Sequence, residues 1–176
     1  MEYKIKNKSF LITYSILFVI LIHPIFAQSI SNDLKLLEPL INKTWKGELK
    51  SPDGSESWVT THEFIPLWDG TIIKYKSSTP DRDFFAEGYF YWDRTVNIIA
   101  VLIVNKNGIY QNGFVSIKDE IITIEGIISF PNTTFDYKNT LEITDDGHLI
   151  DRWFQNAFGT WRAGHVINFI PEQSDR

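Results

Sequence analysis

From Thr44 to Phe169 the apolar residues recur with a period of two, and this constrains the fold more than any other feature of the chain. Side chains two apart share a face only in an extended strand. Successive alternating segments cover residues 44–50, 56–67, 71–78, 84–92, 96–104, 109–117, 121–130 and 133–144. A closing hairpin within Gly147–Phe169 follows, around the turn Asn156-Ala157-Phe158-Gly159. Between the segments lie turn signals such as Ser51-Pro52-Asp53-Gly54, Trp68-Asp69-Gly70, Asn105-Lys106-Asn107-Gly108 and Asp145-Asp146-Gly147, rich in the residues that tolerate tight turns. None of these connections has room for a crossover helix, so consecutive strands must run antiparallel. An open sheet of this many strands would leave long unpaired edges. The expected fold is therefore all-β, an antiparallel up-and-down closed barrel of about eight to ten strands.

One helical pattern precedes it. In Ser31–Ile41, Asn32 or Asp33 is placed to cap, and Leu34, Leu37 and Ile41 form a short apolar stripe. Pro39 limits the helix to a turn or two. It is expected to lie across one end of the barrel as a plug.

Residues 1–27 read as a secretory signal peptide. Lys4, Lys6 and Lys8 form a basic start, and Phe10–Ile22 is an apolar run shorter than the ~20 residues of a membrane span. Ala27 supplies the small residue before the cut. Residues 28–176 then make a single barrel domain. The chain has no cysteine, so it carries neither a disulfide nor a lipid anchor at the cleavage site. Such a protein suits a periplasmic or secreted location, without a stable membrane anchor after cleavage. The net charge is −5 with no Lys/Arg cluster, which disfavours nucleic acid and anionic lipid as partners. Aromatic residues make up 15%, implying a large core, a lined cavity, or both.

The candidate site residues come from the inward faces. On the last strand, Trp161, Ala163, His165, Ile167 and Phe169 alternate onto one face. His165 is thus expected buried in the lumen, as a metal or haem ligand, a proton-transfer group, or a hydrogen-bonded core histidine. Trp58, Thr60, His62 and Phe64 form a similar face on the second strand, which lies near the last once the barrel closes. His62 and His165 then converge, although two histidines do not make a metal site. Asp151-Arg152-Trp153 puts an acid and a guanidinium on opposite faces. An inward Arg152 would hold a ligand carboxylate with paired N–H bonds; at the rim it would pair with an acid such as Glu142 or Glu87. Phe84, Ala86, Gly88, Phe90 and Trp92 share a face on which Phe90 and Trp92 would line the lumen. Gly88 and Gly126 either leave lumen volume or mark barrel bends. Glu63, Glu87, Glu125 and Asp151 are acid/base candidates whose spacing carries no specificity. No nucleophile elbow, phosphate loop or metal run is present.

The short helix, then Leu40-Ile41-Asn42-Lys43-Thr44-Trp45-Lys46-Gly47-Glu48, then the long meander, resembles the calycin superfamily: lipocalins, fatty-acid-binding proteins and nitrobindin-like haem barrels. Trp45 and Gly47 match the opening tryptophan and a following glycine; Lys43 stands where the family's first glycine would be. The resemblance implies an exported barrel that takes a small apolar or amphipathic molecule into its lumen, with Trp45 closing the floor. The alternative it implies is an isomerase or hydratase using a lumen histidine as acid/base. Nitrobindin-like barrels ligate haem through a histidine of the last strand, the position of His165, but Lys43 and Leu49 replace two glycines of their first-strand motif. The resemblance thus leaves the cofactor, and any catalytic residue, unassigned.

Overall fold

Each alternating segment buries one face and leaves its backbone to a neighbour, so closure on itself is the way to satisfy every edge. The computed structural model describes residues 30–173; the signal-peptide reading of residues 1–27 lies outside the described residues. The strands are β1 (Lys43–Lys50), β2 (Ser57–Leu67), β3 (Ile72–Thr79), β4 (Phe84–Asp93), β5 (Ile98–Asn105), β6 (Tyr110–Lys118), β7 (Ile121–Phe130), β8 (Thr133–Ile143), β9 (Leu149–Ala157) and β10 (Thr160–Gln173). Every consecutive pair is antiparallel, and β1 pairs with β10 through Thr44↔Glu172 to Gly47↔Phe169, which closes a ten-stranded up-and-down barrel.

The helix is a 3₁₀ helix, Asn32–Leu40, rather than an α-helix. Three residues per turn put positions three apart in line, so Leu34, Leu37 and Leu40 are the buried stripe. No side chain caps its start; Ser31 N–H donates instead to Gly70 O, at 3.0 Å, in the β2–β3 turn. The plug is held at its other end by Trp45, fully buried, whose Nε1–H donates to Leu40 O at 2.9 Å. Above this floor the core is built from inward residues of the strands, among them Phe64, Ile73, Phe90, Ile99, Val101, Ile122, Leu141, Leu149 and Phe169. Core and cavity do not absorb all the aromatics. Phe85, Tyr89, Tyr91, Tyr110 and Phe114 are exposed, on the outer faces of β4 and β6.

The glycines mark close strand approach and not lumen volume. Gly113 and Gly126 face each other across β6 and β7, and a Cβ on Gly126 would collide with the backbone carbonyl of Asn112. A Cβ on Gly88 would likewise meet the Leu102 carbonyl of β5.

Strand β10 departs from simple alternation. Ala163 pairs with Phe154, but Val166 pairs with Arg152, so β10 carries one extra residue around Gly164 and His165. Such a bulge exchanges inward and outward faces along the strand. His165, Ile167 and Phe169 therefore keep the face of the core, whereas Trp161 and Ala163 turn outward.

Candidate functional site

The end of the barrel opposite the plug holds a cavity of about 390 Å³. This lies toward the lower end of the roughly 300–1,000 Å³ typical of small-molecule sites. Its walls are mostly apolar: Phe64, Phe90, Ile103, Ile124, Leu141 and Ile167 all line it. Arg82 and Phe84, from the β3–β4 connection, also contribute to the lining. The Arg82 guanidinium lies over the Trp58 ring, 4.5 Å from its centroid.

A polar cluster is set into this lining. Period two on β9 sends Leu149, Asp151 and Trp153 inward, so a carboxylate enters an otherwise apolar row. Asp151 is 2% exposed. Asn139, inward on β8, donates a short hydrogen bond from Nδ2 to Asp151 Oδ1. His62 Nδ1 stands 3.8 Å from Asp151 Oδ2, and His165 Nε2 stands 3.7 Å from Oδ1. Both separations exceed hydrogen-bond length. Two hydroxyls of the lining are already engaged: Thr79 donates to Thr60 Oγ1 at 2.9 Å, and Thr60 donates to Ser78 O at 3.1 Å.

His62 is 6% exposed and its Nδ1 has no hydrogen-bond partner. Its ring lies against Phe169 (4.4 Å between centroids) and edge-on to Tyr75 (5.3 Å). Burial pushes its pKa down from 6.5 to about 4, against the opposing pull of the Asp151 carboxylate. Burial, with the same carboxylate nearby, pushes the Tyr75 hydroxyl upward. At neutral pH both are uncharged.

The candidate residues thus divide. His62, His165 and Phe90 line the cavity. His165 is half-exposed, not buried: its side chain keeps 34% of its exposure and its ring stacks on Trp153 at 14°. The bulge that turns it inward also leaves room for this indole, because a Cβ on Gly164 would overlap Trp153. Trp161 does not reach the lumen; it is 47% exposed on the outer face, with Lys138 Nζ 5.3 Å from its ring centroid. Arg152 also faces outward, in an ion pair of 2.7 Å with Glu142. Trp92 points inward but packs against the core cluster and does not line the cavity. Asp151 as the centre of the cluster, with Asn139, Tyr75 and Trp153 around it, was not singled out by periodicity. Its signal was a single acid within the apolar set Leu149–Asp151–Trp153.

Each imidazole faces a different oxygen of Asp151. Among the described residues no cluster of three or more His, Cys, Asp or Glu is placed to hold a metal ion. A haem on His165 does not fit either. The Asp151 carboxyl group already faces His165 Nε2, at 3.7 Å.

Fold and site together define a closed ten-stranded antiparallel β-barrel with a lumen cavity built around a buried acid. The chain is similar in structure to Rv2717c from M. tuberculosis, whose crystal structure aligns with a TM-score of 0.55 at 16% identity. The alignment covers 82% of this chain and 99% of that one, and at this identity it shows a shared fold. No family model matches the chain, and no curated protein matches it.

Proposed function

We propose that the chain is an exported, calycin-like barrel that binds a small apolar or amphipathic molecule in its lumen, in the periplasm or outside the cell. The observation that carries this reading is the cavity of about 390 Å³ with an apolar wall and a few converging polar groups, the usual composition of a small-molecule site. Phe64, Phe90, Ile124 and Leu141 take the apolar body, and the polar end sits against His62, Asp151 and His165. Native mass spectrometry of protein purified from its own host tests the reading by looking for a co-purified small molecule. A folded protein that carries none, and that takes up no apolar fluorophore, refutes it.

A second reading is supported by the placement of two imidazoles about one carboxylate, 3.7 and 3.8 Å away. In an isomerase or hydratase, His165 would exchange a proton with the bound molecule while Trp153 supports the ring from one face. His62, with its pKa near 4, is a poor base at neutral pH. Turnover lost in His165→Phe with ligand affinity retained would favour the enzyme. Export is tested separately, by N-terminal sequencing of the mature protein for a start at Gln28.

A further inference from the structure

Asp151 sets a carboxyl group, 2% exposed, into the wall of the lumen. Among the described residues it accepts a hydrogen bond from the Asn139 amide, while both imidazoles stand beyond hydrogen-bond reach. Among those residues no lysine or arginine pairs with it, and Arg82, a cation of the cavity lining, lies over the Trp58 ring. Across from the carboxylate stands a second orphan, the partnerless Nδ1 of His62. A buried carboxylate without a cation is costly, and so is a buried ring nitrogen without a bond.

One chemical group answers both deficits. We propose that the lumen ligand is an amine, its protonated nitrogen seated between Asp151 and His62 and its apolar body lying among Phe64, Phe90 and Leu141. This deepens the lumen-binding reading and rests on it. An ammonium offers three N–H donors. One meets a carboxylate oxygen of Asp151 and another meets His62 Nδ1, an acceptor when the ring carries its proton on Nε2. The neighbouring Tyr75 and Trp153 rings suit a cation, because aromatic faces attract positive charge. A ligand carboxylate would instead bring like charge against Asp151, and an alcohol could satisfy only one of the two acceptors with its single proton.

The test is isothermal titration of the purified protein at neutral pH with decylamine, 1-decanol and decanoate, which share an apolar body and differ at the head. Decylamine is expected to bind about 10–100-fold tighter than decanol, the range provided by a hydrogen bond to a charged group, with decanoate weakest. Asp151→Asn is expected to remove the advantage of the amine over the alcohol. If that variant does not fold, the ratio of amine to alcohol in the unaltered protein decides the matter. Equal binding of amine and alcohol, tightest binding of decanoate, or an amine advantage that survives Asp151→Asn each overturns the inference while leaving the lumen-binding reading in place. Failure of all three probes to bind overturns both.

Discussion

Acid should destabilise this barrel through His62. The ring is 6% exposed, sits against Phe169 and Tyr75, and has its pKa lowered from 6.5 to about 4 by burial. The charged or titratable groups around it are Asp151, His165 and Tyr75. Because the folded value lies below the unfolded one, the unfolded chain takes up the proton first. The stabilisation is fully present above pH 6.5 and is lost as the pH falls from there toward 4. One pKa unit corresponds to about 1.4 kcal/mol, so the loss reaches about 2 kcal/mol at pH 5 and about 3 kcal/mol at pH 4. His62→Phe keeps the aromatic volume and removes the titrating group. Urea denaturation between pH 8 and 4.5 should show the unaltered protein losing about 2.5 kcal/mol more than the variant. The carboxyls of Asp53, Asp93 and Asp146, held low by the hydroxyls of Ser51, Thr95 and Thr144, lose stabilisation in acid in both proteins, so the difference isolates His62. Parallel curves, or an imidazole whose NMR titration midpoint is 6.5, would refute the reasoning.

Three further outcomes are expected. Trp45→Ala should cost about 3–5 kcal/mol in chemical denaturation followed by circular dichroism, since it empties the floor beneath the plug. Trp45→Phe should cost about 1 kcal/mol through the lost bond to Leu40 O, and a loss below about 1 kcal/mol for the alanine variant would mean that the floor repacks. Gly126→Ala should lose about 1–3 kcal/mol, because the added methyl meets the Asn112 carbonyl; a neutral effect would show that β6 and β7 can part there. His165→Phe should change stability by less than about 1 kcal/mol, the ring being partly exposed, yet weaken ligand binding in titration calorimetry. Unchanged affinity would place His165 off the binding surface.

The barrel was legible because each strand needs only local alternation, and short turns leave antiparallel pairing as the one connection available. The plug was less so. Leu34 and Leu37 lie on the buried stripe under either helical period; the tighter 3₁₀ winding adds Leu40 to them, and Ile41, just past the helix, is buried as well. Depth along the lumen is not written in alternation either. Phe90 and Trp92 share a face of β4, but Trp92 packs against the core cluster away from the cavity, whereas Phe90, a core residue, also lines it.

The site itself depends on the extra residue in β10. Counted from the hairpin turn, position 165 falls on the outer face with Trp161; counted back from Phe169, it falls inside. Both counts are locally correct, and a period of two cannot say where they meet. The bulge beside Trp153 reconciles them, and Ala163-Gly164 was the available hint, being the one pair of small residues in the strand. Convergence on Asp151 is a second kind of information, held in the registers of separate strands. Asn139 pairs with Trp153, Asp151 with Ile167, and His62 with Trp45. His62 on β2 reaches an acid on β9 only because β1 and β10 close the ring between them. A charged residue within an apolar alternation was thus the one local sign of the site, and it marked the residue on which the rest converge.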